Sequence, residues 1–442
     1  MTVRKFIHAG VTLACALALG SAQAENLEDV YELALDADQT LSAAEAGYQA
    51  ALQARPLARS ALLPQINASA GIENHDQTFT DTPAEKSAFF QDKNFNRVKY
   101  GIRLDQTLFN KDSWIRLGQA DSQIAKAEAE IAAARQDLIV RVATAYFDVL
   151  AARDNLTFAK AEKQAISQQL KQSKERFEVG LIAITDIREA EAQFDLANAQ
   201  EIDAQNSLDV AQESLQVLTG HLPEELDPLK DQFIPVRPEP SDIDAWASSA
   251  LENSLTLKAA RFGLETAKQE ISRRQAGHYP TLGLSAEVGV QDDSGGFSEG
   301  QSTDAILGLG LKLPLYTGNR TSASVTEARL LYRQAEKTLE LQKRETVRQA
   351  RASYLNVVAG ISRVSALKQA LTSSQSAVEA TEAGYEVGTR TAVDVLLALR
   401  ETYRAQRDYA RSRYDYILST FQLKQAAGIL NSHDLKDIND WL

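Results

Sequence analysis

Phe177-Glu178-Val179-Gly180-Leu181-Ile182-Ala183-Ile184-Thr185-Asp186 returns 208 residues later as Tyr385-Glu386-Val387-Gly388-Thr389-Arg390-Thr391-Ala392-Val393-Asp394. The same offset relates Ala145-Tyr146-Phe147 to Ser353-Tyr354-Leu355, while Leu63-Pro64 and Tyr279-Pro280 stand 216 apart. The chain is therefore an internal duplication whose halves differ mainly in one loop. Half of the ten prolines (Pro223, Pro228, Pro235, Pro238 and Pro240) fall between the copies. This divides the chain into a first repeat over 25–220, a Pro-rich linker over 221–242, a second repeat over 243–428 and a C-terminal segment over 429–442. Two related units of this kind stack side by side.

Each half reads helix, strand, loop, strand, very long helix, short loop, helix. From Lys111 to Val179 there is no proline and only one glycine, Gly118. Leu117, Ile124, Ile131, Leu138 and Ala145 recur every seven residues, with Ala120, Ala127 and Ala134 three positions on. This is the a/d seam of a coiled coil, with a small residue at one position to let helices approach closely. Ser322 to Val387 repeats the arrangement. In the short loops, Gly180 and Gly388 fit the left-handed residue that ends a helix. Thr185 is expected to cap the returning helix, and Thr391 with Asp394 to form a capping box.

The strands bear on where the chain resides. Ile66, Ala68, Ala70 and Ile72 alternate with Asn67, Ser69 and Gly71, and Val98, Tyr100, Ile102 and Leu104 with Lys99, Gly101, Arg103 and Asp105. In the second half Leu282 to Val290 and Leu307 to Leu313 alternate in the same way. Such alternation fits a half-buried sheet on a soluble core. The alternative is strands with apolar side chains toward lipid and polar or glycine residues toward a lumen. Beyond residue 24 nothing approaches the roughly 18 consecutive apolar residues of a membrane helix. Four strands cannot close a barrel, because open edges are not tolerated in hydrocarbon. Either the sheet is soluble or several chains share one barrel. The polar stretches Asn74 to Arg97 and Asp292 to Asp304 suit loops outside the cell.

Arg4 and Lys5, the apolar run Val11 to Leu19, and Ala22-Gln23-Ala24 read as a signal peptide over 1–24 with the mature chain starting at Glu25. The mature chain then holds 45 basic and 60 acidic residues, a formal charge of −15, and no cysteine. An acidic chain without a basic patch argues against a nucleic-acid partner. An exported chain without disulfides must rely on packing or assembly. His75, His221, His278 and His433 are not spaced as a metal site, and no Gly-rich phosphate loop follows a strand, so no enzyme, cofactor or metal is expected. A soluble periplasmic coiled-coil adaptor is the rival reading. It would carry one hairpin flanked by small β-domains rather than two duplicated units.

The tip segments Gly384 to Leu396 and Phe177 to Asp186 resemble those of the TolC family of outer-membrane efflux and secretion channels. Glu25-Asn26-Leu27, Leu62-Leu63-Pro64-Gln65, Thr144 to Leu150 and Leu218-Thr219-Gly220 extend the resemblance over essentially the whole mature chain. It implies an α+β membrane protein and a homotrimer. Three chains of four strands share one transmembrane β-barrel in outer-membrane lipid, which continues into a long α-helical coiled-coil tunnel in the periplasm. It also implies a periplasmic adaptor and an inner-membrane transporter of the RND, ABC or MFS type as partners. The cargo, drug or protein, is not implied. By the same resemblance Tyr385 and Arg390 tie the inner helix pair to the outer one at Thr185 and Asp186 and hold the periplasmic entrance shut. Asp394 forms an acidic ring at the constriction, and Gly180 and Gly388 lie where the adaptor docks. A second acidic residue of the family is replaced here by Leu397, which halves the expected charge of the ring. Glu189, its repeat equivalent, would sit on the other helix pair.

Overall fold

A computed structural model of the 442-residue chain describes residues 25–78, 93–223, 225–230, 233–295 and 299–442. The expected signal peptide and the middle of the first strand-connecting segment lie outside the described residues. The first half opens with three helices where the sequence suggested one: α1 (Leu27–Ala37), α2 (Gln39–Leu52) and α3 (Ala54–Ser60). The breaks have local causes. Asp38 leaves the helical region to accept the Leu41 amide at 2.6 Å, starting α2 afresh. Pro56 has no amide to bond back across the α2–α3 junction. Strands β1 (Gln65–Gln77) and β2 (Lys93–Phe109) follow, then α4 (Lys111–Glu178) and α5 (Ile184–Thr219). The second half runs α6 (Ile243–Asn253), α7 (Leu255–Gln275), a 3-10 turn at Ala276–His278, β3 (Thr281–Asp293), β4 (Gly300–Lys312), α8 (Arg320–Glu386) and α9 (Ala392–Ala426). A last helix, α10 (His433–Asn439), was not anticipated.

The four strands form one antiparallel sheet in the order β1-β2-β3-β4. They reach further into the expected loops than the sequence suggested, because backbone pairing continues through polar residues from Gln77 opposite Lys93 to Asp293 opposite Gly300. The register puts like with like. Ile66, Leu104, Ala286 and Leu307 form one cross-strand row, and Ala68, Ile102, Val288 and Ala305 the next. On the opposite face Asn67, Arg103, Glu287 and Ile306 align, with Arg103 bonded to Glu287 at 3.2 Å. One face is thus apolar and the other mostly polar. The apolar face is bare: Ile72 and Leu307 are 77% and 76% exposed. Within the chain β1 and β4 leave their outer edges unpaired.

Below the sheet, α4 and α8 run 68 and 67 residues, each about 100 Å at roughly 1.5 Å per residue. Helix α4 lies between α5 and α9, with α7 above α9, and α8 flanks α7 and α9 on the far side. One face of this helical layer carries the core. Leu138, Val142, Tyr146, Phe147 and Leu150 of α4 pack with Tyr414, Ile417 and Phe421 of α9, with α1, α10 and the segment between the halves. That segment is a packed strap rather than a free tether. Leu226, Leu229 and Phe233 are buried in the core, and the Tyr146 hydroxyl donates to the Asp227 carbonyl at 2.9 Å. The Tyr416 hydroxyl accepts the Val236 amide at 2.9 Å and donates to its carbonyl at 2.6 Å. No helix among the described residues is long and apolar enough to cross a membrane.

Candidate functional site: the duplicated helix tips

At the second tip α8 stops because Gly388 turns left-handed, with φ 80°. The amides of Thr389 and Arg390 and the Thr389 hydroxyl all donate to the Gly384 carbonyl, at 2.8, 3.2 and 3.0 Å. The side chain of Arg390 crosses Gly384 so closely that a Cβ there would stand 2.8 Å from its Cγ. Helix α9 then starts with the expected capping box. The Thr391 hydroxyl accepts the Asp394 amide at 3.2 Å, and Asp394 accepts the Thr391 amide and hydroxyl, each at 2.9 Å. These two bonds, with the nearby charge of Arg390, hold the Asp394 carboxyl below the usual carboxylate range. Asp394 is therefore a capping residue as well as a charge.

At the first tip Gly180 has φ 78°, and the Gly180 and Leu181 amides return to the carbonyls of Phe177 and Arg176 at 2.8 and 2.9 Å. The expected cap at Thr185 is not formed. Helix α5 begins two residues earlier than such a cap would set, at Ile184, with Ala183 as the cap residue and no side-chain bond. Thr185 is therefore the second residue of the helix, past the position from which a side chain caps the first turn. Its hydroxyl points to the Asp186 carboxylate at 3.4 Å. No atom lies within 4 Å of a Cβ built on Gly180 or Gly388, so backbone conformation, not crowding, favours glycine there.

The tips are joined through a residue that sequence reasoning missed. The guanidinium of Arg176, near the end of α4, lies 4.1 Å from the ring centroid of Tyr385 at the end of α8. Tyr385 is 6% exposed, packs with Ala392 and Val395, and its hydroxyl is buried without a bonded partner. Arg176 stands one residue before the repeated motif, opposite Gly384 in the second copy. That mismatch between the copies was the available signal. Among the described residues, no hydrogen bond or ion pair joins Tyr385 or Arg390 to Thr185 or Asp186 of the same chain. Leu397 is 45% exposed, and Glu189 is exposed on α5. No cluster of potential metal ligands occurs among the described residues.

The chain matches the family model described as "Outer membrane efflux protein" over residues 30–221 and 246–429. It is 39% identical to an "Outer membrane protein TolC" of Vibrio cholerae, over 99% of this chain and 98% of that one. It is 37% identical to the protein of that name in Escherichia coli, over 95% of this chain and 85% of that one. An "Alkaline protease secretion protein AprF" of Pseudomonas aeruginosa is 31% identical over 93% and 86%. Among solved structures, the Campylobacter jejuni CmeC outer membrane channel superposes with a TM-score of 0.77 at 18% identity, over 94% of this chain and 89% of that one. The Vibrio cholerae outer membrane protein VceC gives 0.74 at 21%, over 91% and 96%.

Proposed function

The chain belongs to the outer membrane efflux protein family, and we propose that three copies form one gated exit duct of an efflux or secretion system. It is a channel subunit rather than an enzyme. Three four-stranded sheets, paired edge to edge, make a twelve-stranded barrel that leaves no open ladder in hydrocarbon. The bare apolar face turns to outer-membrane lipid and the polar face lines the lumen, which runs on into the helical tunnel across the periplasm. A periplasmic adaptor docks at Gly180 and Gly388 and couples the duct to an inner-membrane transporter, whose energy drives export. The relatives' names include an outer membrane efflux protein and a protease secretion protein, so the duct suits small molecules and proteins alike.

The gate lies at the tips. Arg390 is exposed and lies next to the capping box, while Asp186 sits in the first turn of α5. Since the two are not bonded within one chain, the tie runs between Arg390 of one copy and Asp186 of the next. Thr185 supports that carboxylate, and the Tyr385 hydroxyl, buried without a partner among the described residues of its own chain, makes the second tie to this pair. A charge-assisted bond of this kind contributes about 1.5–3 kcal/mol. Three such ties favour the closed tip, and an adaptor that binds the open form shifts the population. Asp394 supplies an acidic ring at the constriction, with Leu397 apolar where a second ring would stand. The carrying observation is the pair of glycine-turned tips at the ends of two 100 Å helices. Planar-bilayer recording tests the gate: Arg390→Ser with Tyr385→Phe raises single-channel conductance. An unchanged conductance removes the gate assignment.

A further inference from the structure

The seam between α4 and α9 changes character along its length. In its upper part Phe147 and Leu150 of α4 are fully buried, and Phe147 stacks on Tyr414 with centroids 5.6 Å apart. Toward the tips the buried stripe of α4 turns polar: Glu162, Gln169 and Ser173 are 1%, 7% and 0% exposed. Gln169 Nε2 and Ser173 Oγ have no hydrogen-bond partner, as is true of the Tyr385 hydroxyl below them. The small cluster of Ile166, Ala190, Ala197 and Leu396 is the main apolar packing left there. The boundary between the two regimes is an ion pair. Glu162 Oε2 accepts from Arg407 Nη1 of α9 at 2.7 Å, and Arg407 is itself only 23% exposed. Close by, Lys163 bonds Glu201 at 2.8 Å and fixes α4 to α5.

These regimes respond differently to separation. Close-packed aromatic and aliphatic side chains have two arrangements, packed or parted, and resist sliding. A seam with unpaired polar atoms loses less when it opens, because water then satisfies them. A buried ion pair tolerates little displacement, since either charge left alone is desolvated without compensation. We propose that the Glu162–Arg407 pair is the fulcrum of tip opening: α8 and α9 swing against α4 and α5 below it and stay fixed above it. The pair lies 16 residues above the end of α4, about 24 Å at roughly 1.5 Å per residue. Only the tip quarter of the tunnel moves. The inference rests on the gate described above and adds where the moving segment ends.

The single cysteine of the chain, Cys15, lies in the first 24 residues, which leaves introduced thiols without competitors. In the Arg390→Ser, Tyr385→Phe channel, a bifunctional thiol reagent bridges either Ile166→Cys with Leu396→Cys, below the pair, or Asp148→Cys with Arg411→Cys, above it. SDS-resistant trimers establish assembly before each recording. The lower bridge is expected to return conductance to the wild-type level, and the upper bridge to leave it raised. An upper bridge that also closes the channel, or a lower bridge without effect, overturns the fulcrum. If the unbridged gate variant shows no rise, the gate reading falls and takes the fulcrum with it, an outcome distinct from the other two. Charge variants give a second measurement that needs no crosslink. In the same background Arg407→Gln raises conductance further, and Glu162→Arg with Arg407→Glu brings it back. Conductance indifferent to all three substitutions also overturns the proposal.

Discussion

Asp394 serves two ends with one carboxylate. Its bonds to Thr391 start α9, and the proposed ring asks the same carboxylate to carry charge at the constriction. The two roles can be separated, because Asn can still accept the Thr391 amide while carrying no charge. Asp394→Asn is expected to keep the trimer assembled, weaken cation selectivity and relieve block by multivalent cations. An unaltered reversal potential would count against the acidic ring. The Thr391 bonds also set how far into acid the ring stays charged. They lower the pKa of Asp394, whereas three copies converging in the proposed ring would raise it. Thr391→Ala removes part of the lowering contribution, so cation selectivity should fade at a higher pH than in the wild type. A pH profile that does not move would mean that mutual repulsion alone sets the titration. At this scale the sequence was legible where chemistry is local: both left-handed glycines and the capping box follow from residues within a turn of one another. Thr185 was misread because α5 starts two residues earlier than its capping side chain suggested, on Ala183, which offers no side-chain bond. Arg176 was missed because its partner, Tyr385, is 209 residues away.

The long helices were readable because nothing interrupts them and their apolar positions recur every seven residues. The shorter ones were not, because their ends are set by contacts across the fold. Asp38 is an example. It caps α2 and also receives two bonds from Arg141 of α4, at 2.7 and 2.9 Å. The strap was legible only as a proline-rich gap, since the three-and-four spacing of its buried Leu226, Leu229 and Phe233 is interrupted by Pro228, which argues against a helix. Glu270 of α7 makes a similar long-range junction just below the sheet. It accepts from Arg273 twice at 2.6 Å, from Arg274 at 2.7 Å and from Gln119 of α4 at 3.1 Å. Arg273 reaches on to Asp112 near the start of α4 at 3.4 Å. The bonds to Arg273 above all depress the Glu270 pKa from 4.5 to about 2. A carboxyl whose folded pKa is depressed stabilises the fold above its unfolded pKa, and that contribution is lost as pH falls toward the folded value. Glu270→Gln is therefore expected to lower the thermal midpoint at pH 7, followed by circular dichroism. The gap to the wild type should narrow at pH 3. A gap of equal size at both pH values would mean that the junction depends on shape rather than charge.

At the scale of the whole molecule, the choice between a soluble adaptor and a membrane channel turns on which way the sheet faces. Alternation in the sequence supplied both readings. The register decides between them, because it gathers the apolar side chains of all four strands on one face and leaves that face bare. Water would not favour such a surface without a partner, and lipid does. The two faces make opposite demands on a charge at the same depth, which gives a test within a single dipeptide. Ile306 and Leu307 lie midway along β4 and point to opposite faces. Leu307 belongs to the apolar row of Ile66, Leu104 and Ala286, while Ile306 aligns with Glu287, Arg103 and Asn67. Leu307→Arg puts a guanidinium into hydrocarbon near the midplane and should cost about 2–4 kcal/mol per copy. With three copies in one barrel, the heat-modifiable trimer on SDS gels should fall sharply. Ile306→Arg adds the same charge toward the lumen beside Glu287, and the trimer should persist at wild-type levels. Equal loss in both variants would indicate a general intolerance of β4 to substitution. Loss in Ile306→Arg alone would invert the barrel's faces, and with them the path from lumen to tunnel.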